Sequence, residues 1–329
     1  MTLTRSLPLV ALTLVATLAG SSAAQDSDLP EVRVEETRFA PGTVRVIPPQ
    51  PEAEETFTGP ITLREFISAH PEIQWKAPDF TDGRPNSDPR TRTLPEMAQH
   101  VILRREVYSL EFSFKPLRQI YVDVPQPNNR MKRKLIWYMV FRVRYLGGDL
   151  RAAADSTTDS PYGRIEAISY KSRRFIPLLV LADHTSGKEY LDRILPAVKS
   201  KIAMREKITA PLYNTVEIST VPIPRSSDPA APGVWGVATW EDVDANIDFF
   251  SVFVSGLTNA FEREEDDAGE VTIRKKTLQL NFFRPGDTVQ QVDDLIRFGV
   301  PAYTDEQEHQ YILDQYGLDK RLDYQWVYR

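Results

Sequence analysis

The chain has 329 residues, 41% of them hydrophobic and 26% charged, with no cysteine and a formal net charge of −6. That balance excludes disorder throughout, and the lack of cysteine excludes a disulfide framework and thiol catalysis, so stability must come from a core that this length can bury. A mild acidic excess argues against a nucleic-acid partner, because phosphate binding needs a clustered basic face.

At the N terminus Arg5 precedes an apolar run over residues 7–20, and Ser22 and Ala24 provide small residues ahead of a cut before Gln25. This pattern predicts a secretory signal peptide over residues 1–24, with an apolar run too short for a retained membrane anchor. The expected mature chain carries 39 Lys and Arg against 46 Asp and Glu. It is expected to be secreted or periplasmic, with no transmembrane segment after cleavage. The longest apolar stretch that remains, residues 135–141, falls far below the ~20 residues a bilayer requires.

Residues 25–100 hold 11 of the 25 prolines, including Pro48, Pro49 and Pro51. Proline cannot donate to a sheet ladder, so this segment is predicted to be a Pro-rich N-terminal arm or linker. Thr62 with Glu65 predicts one short helix in it. A second reading, in which Phe57, Phe66, Trp75 and Phe80 anchor the arm around the core, stays open.

After residue 100 the hydrophobic period becomes two. In residues 134–145 Leu135, Trp137, Met139, Phe141, Val143 and Tyr145 share a face, opposite Lys134, Arg142 and Arg144. Such alternation belongs to a strand. Further strands are predicted at 108–115, 117–124, 164–170, 175–182, 212–223, 234–240, 249–255 and 271–283. Strands of this length and number predict a mainly β core over residues 101–284, a β-sandwich of immunoglobulin-like or jelly-roll-like kind. The basic cluster Arg130, Lys132, Arg133 and Lys134 is expected to cap a strand on a solvated loop. Helical spacing of Leu191, Ile194, Leu195, Val198 and Ile202 predicts a helical crossover over residues 188–207, broken or restarted at Pro196. Residues 285–329 are expected to form a helical tail, started by a Thr304–Gln307 capping box and stopped by Gly317. A last strand could return over residues 322–328.

Chemistry-bearing patterns are few. A Gly-x-Ser-x-Gly elbow, a His-Glu-x-x-His pair and a phosphate-cradling Gly-rich loop are all absent from the sequence. The histidines His70, His100, His184 and His309 are scattered, which leaves zinc without its ligands. His184, in Asp183-His184-Thr185-Ser186-Gly187, reads as a turn, with a hydrolase site at a strand end as the alternative. Asp242, Asp244, Asn246 and Asp248 alternate as oxygen ligands do at the start of a calcium loop. Ile247 replaces the glycine such a loop needs and Phe253 its closing carboxylate, so an acidic inter-strand loop competes with calcium. No other cofactor is expected. Glu262, Glu264, Glu265, Asp266 and Asp267 read as a solvated hairpin tip. Trp235 and Trp240, five apart on one strand, should point to opposite faces, so at least one should be core, with sugar stacking by the other as the alternative reading.

The segments around Trp235–Trp240, residues 248–260, and Leu313-Asp314-Gln315-Tyr316-Gly317 resemble uncharacterised exported proteins of planctomycete-type bacteria. The resemblance implies an envelope address and no particular activity. The function expected from the sequence is therefore a non-enzymatic exported binding or structural module of the bacterial cell envelope, with an envelope protein or polysaccharide as partner. A calcium-dependent or carbohydrate-binding exported protein is the alternative, followed by a hydrolase.

Overall fold

A computed structural model describes residues 44–60, 102–126, 128–153, 164–228, 231–265, 270–285, 295–302 and 305–329. The expected signal peptide and the helix after Thr62 lie outside them. The fold is mainly β with a small helical part, a β-sandwich. Its first sheet contains β1 (Arg45–Ile47), β4 (Glu111–Phe114), β5 (Arg118–Pro125), β6 (Met131–Arg144), β12 (Leu212–Tyr213) and β14 (Val234–Glu241). They run in the order β1-β4-β6-β14-β12, with β5 also on β6. At 14 residues, β6 is long enough to take β5 and β4 in succession along one edge and β14 along the other.

The second sheet contains β10 (Leu178–Asp183), β11 (Glu189–Leu191), β15 (Phe249–Ser255), β16 (Phe261–Glu265), β17 (Val271–Phe283), β18 (Arg297–Phe298) and β19 (Tyr324–Tyr328). Its main path is β11-β10-β15-β17-β16, and β18 and β19 also pair with β17. Three two-stranded pieces complete the strands: β2 (Phe57–Pro60) with β3 (Ile102–Arg104), β7 (Asp149–Ala153) with β8 (Arg164–Ile168), and β9 (Ser172–Arg174) with β13 (Pro222–Pro224).

Alternation puts every second side chain of both sheets into one apolar core. Phe112, Trp137, Phe141 and Trp240 of the first sheet pack against Leu181, Phe250, Val252 and Phe282 of the second. Trp137 meets Phe250 edge to face at 5.4 Å, and Phe250 stacks on Phe282 at 5.7 Å. Gly236 lies directly across from Phe141, and a Cβ at that position would overlap the ring. Glycine is needed there for close approach, not for backbone freedom.

Helices close both outer sides. Val198 and Ile202 of α1 (Pro196–Arg205) cover the outer face of the first sheet, on Val122, Ile136, Trp235 and Val237. Below the end of α1, buried Glu206 accepts from Lys115 at 3.2 Å, Arg118 at 3.1 Å and the Tyr138 hydroxyl at 2.7 Å. Burial, reinforced by the Glu206 hydrogen bond, pushes the Tyr138 phenol well above its ordinary value. Ile312, Leu313 and Tyr316 of α3 (Glu306–Tyr316) pack with Val300 and Leu318 beside Phe249, at one end of the second sheet.

Several expectations need correction. The crossover helix does not cover residues 188–207. Residues Glu189–Leu191 pair as β11, and α1 begins at Pro196, where a missing N–H leaves no bond unmade. Residues 212–223 are not one strand. The Asn214 side chain accepts from the Val216 and Glu217 amides while Glu217 accepts from Asn214, and this capping box starts α2 (Thr215–Thr220) in spite of its β-branched residues. Asp305, not Thr304, caps α3, accepting from the Gln307 and Glu308 amides; Gly317 ends it in the left-handed region at φ 65°. The last strand does return, as β19 on β17.

The linker reading fails for residues 44–60. Three proline-free residues suffice for β1 to add to β4, and Ile47 enters the core. Farther on, Glu55 forms a buried ion pair with Lys276 of β17 and accepts from the Tyr328 hydroxyl at 3.0 Å. Lys276 also donates to the Gln50 carbonyl at 2.9 Å. The anchor is ionic where an aromatic was expected, since Phe57 is 42% exposed. Phe66, Trp75 and Phe80 lie outside the described residues.

Candidate functional site

The turn after β10 is built by Asp183, whose carboxylate accepts from the Thr185 amide and the Ser186 hydroxyl. Gly187, at φ 69°, returns its N–H to the Asp183 carbonyl and leads into β11. A hairpin follows, not a helix. The turn delivers His184 onto the polar face of the second sheet, where its Nε2 lies 2.6 Å from Ser251 Oγ on β15.

The hydrogen bonds around this pair decide what it can do. Asn281 gives its amide to the Leu322 carbonyl at 2.8 Å, and its Oδ1 accepts from Gln279 at 2.9 Å. Ser251 donates its one proton to the same Oδ1 at 2.7 Å. The His184 Nε2 must therefore be the donor to Ser251, the reverse of a base activating a nucleophile. Ser251 is fully buried, and Tyr316 covers the imidazole at 5.0 Å. Burial holds the His184 pKa below its ordinary 6.5, with Asp183 opposing. The hydrolase alternative has neither an activated nor an accessible serine here.

This network runs across β17 to its edge partner, with Gln325 donating to Gln279 at 3.0 Å. There an open depression of about 530 Å³ is lined by Gln50, Arg321, Leu322, Asp323, Tyr324, Gln325 and Trp326. Lys275 and Arg329 exchange both backbone hydrogen bonds, and the antiparallel ladder alternates from that point. Tyr324, Trp326 and Tyr328 therefore turn their N–H and C=O groups away from β17, and among the described residues no strand pairs with that edge.

The other sequence-flagged residues are not brought together. Asp242, at φ 58°, accepts from Lys134 at 2.9 Å, Asp244 caps the Asn246 amide at 2.9 Å, and the Asp248 carbonyl accepts from the Arg284 amide. Residues 242–248 form a loop whose oxygens serve these separate partners, with Ile247 buried among them. Among the described residues no group of three or more acidic or histidine side chains could hold a metal ion. Trp235 and Trp240 do point to opposite faces, and both are buried, because α1 covers the face on which Trp235 lies. Neither ring is a stacking platform. Of the acidic hairpin residues, Glu262 and Glu264 face Arg274 on β17.

The residues that sequence reasoning missed are Ser251, Gln279, Asn281 and Gln325. Gln279 and Asn281 alternate with Leu278, Leu280 and Phe282, which reads as a solvent face. Nothing in their spacing separates them from solvated amides, because their partners arrive from other elements. No helix among the described residues is long and apolar enough to cross a membrane. No family model, no curated protein and no solved structure matches the chain.

Proposed function

We propose that the chain is a non-enzymatic binding module of the bacterial cell envelope, exported by a signal peptide over residues 1–24 and akin to exported proteins of planctomycete-type bacteria. One observation carries this reading: the edge of β19 beside the depression at Gln50, with which no strand among the described residues pairs. Three outward N–H and three outward C=O groups in a row are what an added strand of an envelope protein takes up, and what the hydroxyls of a polysaccharide can meet. The sandwich and its buried amide network hold that edge rigid, which lowers the ordering cost of binding.

The test is backbone amide NMR of the mature chain titrated with purified envelope polysaccharide and, separately, with soluble envelope protein fractions. Shifts are expected at Tyr324, Trp326, Tyr328 and Gln50, with slowed exchange of the outward amides. Shifts gathered about His184 and Ser251, abolished by Ser251→Ala, would overturn the reading in favour of a hydrolase.

A further inference from the structure

The β5–β6 hairpin carries two unlike faces. Cα partners share a face of a sheet, so Tyr121 and Leu135, Asp123 and Arg133, Pro125 and Met131 lie on one side. Val122, Val124 and Ile136 lie on the other, buried beneath α1. The first face is open toward the tip: Met131 is 62% and Tyr121 47% exposed, with Arg133 exposed beside them, while Lys132, the partner of Val124, is exposed on the other side of the same tip and Arg130 at the turn. The Arg133 guanidinium lies 5.0 Å over the Tyr121 ring.

Charge is concentrated here against the trend of the molecule. Four of residues 130–134 are basic in a chain of net charge −6. Lys134 is consumed by Glu241 and Asp242. Asp123 is the acid on the open face, set across from Arg133. Among the described residues no carboxylate forms an ion pair with Arg130, Lys132 or Arg133. The tip therefore carries net positive charge, with a thioether exposed in the middle of the cations.

We propose that the exposed tip of this hairpin docks on an anionic lipid bilayer, Met131 entering the headgroup layer while Arg133 from one side of the hairpin and Arg130 and Lys132 from the other meet lipid phosphates. The mixture of side chains selects that occupant. A dissolved polyanion would neutralise the cations but leave Met131 in water, whereas an interface takes the apolar side chain and the charges together. The basic side chains can lie along the surface on their alkyl stems. The tip is independent of the β19 edge, so the two readings stand or fall separately.

The experiment is co-sedimentation of the mature chain with extruded vesicles of phosphatidylcholine alone or mixed with phosphatidylglycerol. Binding is expected only to the anionic vesicles and should weaken with salt. Each basic residue near such a surface is worth roughly a five-fold change in partitioning, so the triple variant Arg130→Gln, Lys132→Gln, Arg133→Gln should lose about a hundred-fold. Met131→Ser should weaken binding several-fold without changing its salt dependence. All four positions are exposed, and an unchanged melting temperature verifies that the variants fold. Equal binding to neutral vesicles, no loss in the triple variant, or capture by heparin with indifference to Met131→Ser would each overturn the proposal, the last in favour of a polyanion site.

Discussion

Removing the Glu55 carboxylate measures whether the N-terminal segment belongs to the fold. In the structure Lys276 is 3% and Glu55 4% exposed at the side chain, and the Tyr328 hydroxyl also donates to Glu55. Glu55→Ala leaves a buried ammonium without its main counter-charge, a change that costs about 3–5 kcal/mol. Two partners remain to soften the loss, the Gln50 carbonyl at 2.9 Å and the exposed Glu52 at 3.3 Å. The low end, about 3 kcal/mol, is therefore expected. With a urea slope near ~3 kcal/mol per molar, the unfolding midpoint should fall by about 1 M. Trp326 reports the site directly, since the Lys276 ammonium lies 5.6 Å from its ring. Exposed Glu54, one residue earlier, is the control, and its alanine variant should stay within about 0.5 kcal/mol of the parent. If Glu55→Ala and Glu54→Ala unfold at the same midpoint, the Glu55–Lys276 pair does not anchor the segment and the reasoning is refuted.

The remaining two predictions concern the second sheet and the core. Because burial holds His184 below its ordinary 6.5, the unfolded chain takes up the proton first, so stability should fall as pH drops from about 7.5 through 6.5. His184→Gln should flatten this dependence in urea unfolding; parallel curves for parent and variant would show that His184 is not the group responsible. Gly236→Ala drives a methyl into the fully buried Phe141 ring and should lower stability by about 1–3 kcal/mol in thermal melts. An unchanged melting temperature would mean that the ring has room to yield.

The period-two segments were legible because one side of each faces a single apolar core: residues 249–255 and 271–283 appear as β15 and β17 with the expected ends. What lay on the opposite side was not legible. Alternation in β14 separates Trp235 from Trp240, but nothing local tells that α1, about 40 residues earlier, will cover one of them. Gln279 and Asn281 look like solvent residues until Ser251, Gln325 and Leu322 arrive from other elements to satisfy them. α2 was within reach, because Asn214 and Glu217 spell a capping box that outweighs the strand propensity of Val216 and Ile218. The β1 addition was hidden by the prolines around it, which forbid a long strand but not one of three residues. The basic hairpin was visible as a cluster. That Arg133 shares a face with Met131 and Tyr121, while Lys132 and Lys134 fall opposite with Val124 and Val122, emerges only from the register of β5 on β6.

The long pairing of β6 with β14 joins Val143 to Val234, and of the second sheet's strands β10 and β11 lie between them. The centre of that second sheet is β17, which comes after every strand it organises except β18 and β19. A ribosome therefore releases β10, with Leu181 facing the core, well before its sheet partner β15 exists, because β12, β13 and β14 of other sheets come between them. Non-local closure of this kind is slow, and half-made sheets with apolar faces are prone to aggregate. The nascent chain should consequently lean on holding chaperones, and refolding yield in the test tube should fall steeply with protein concentration.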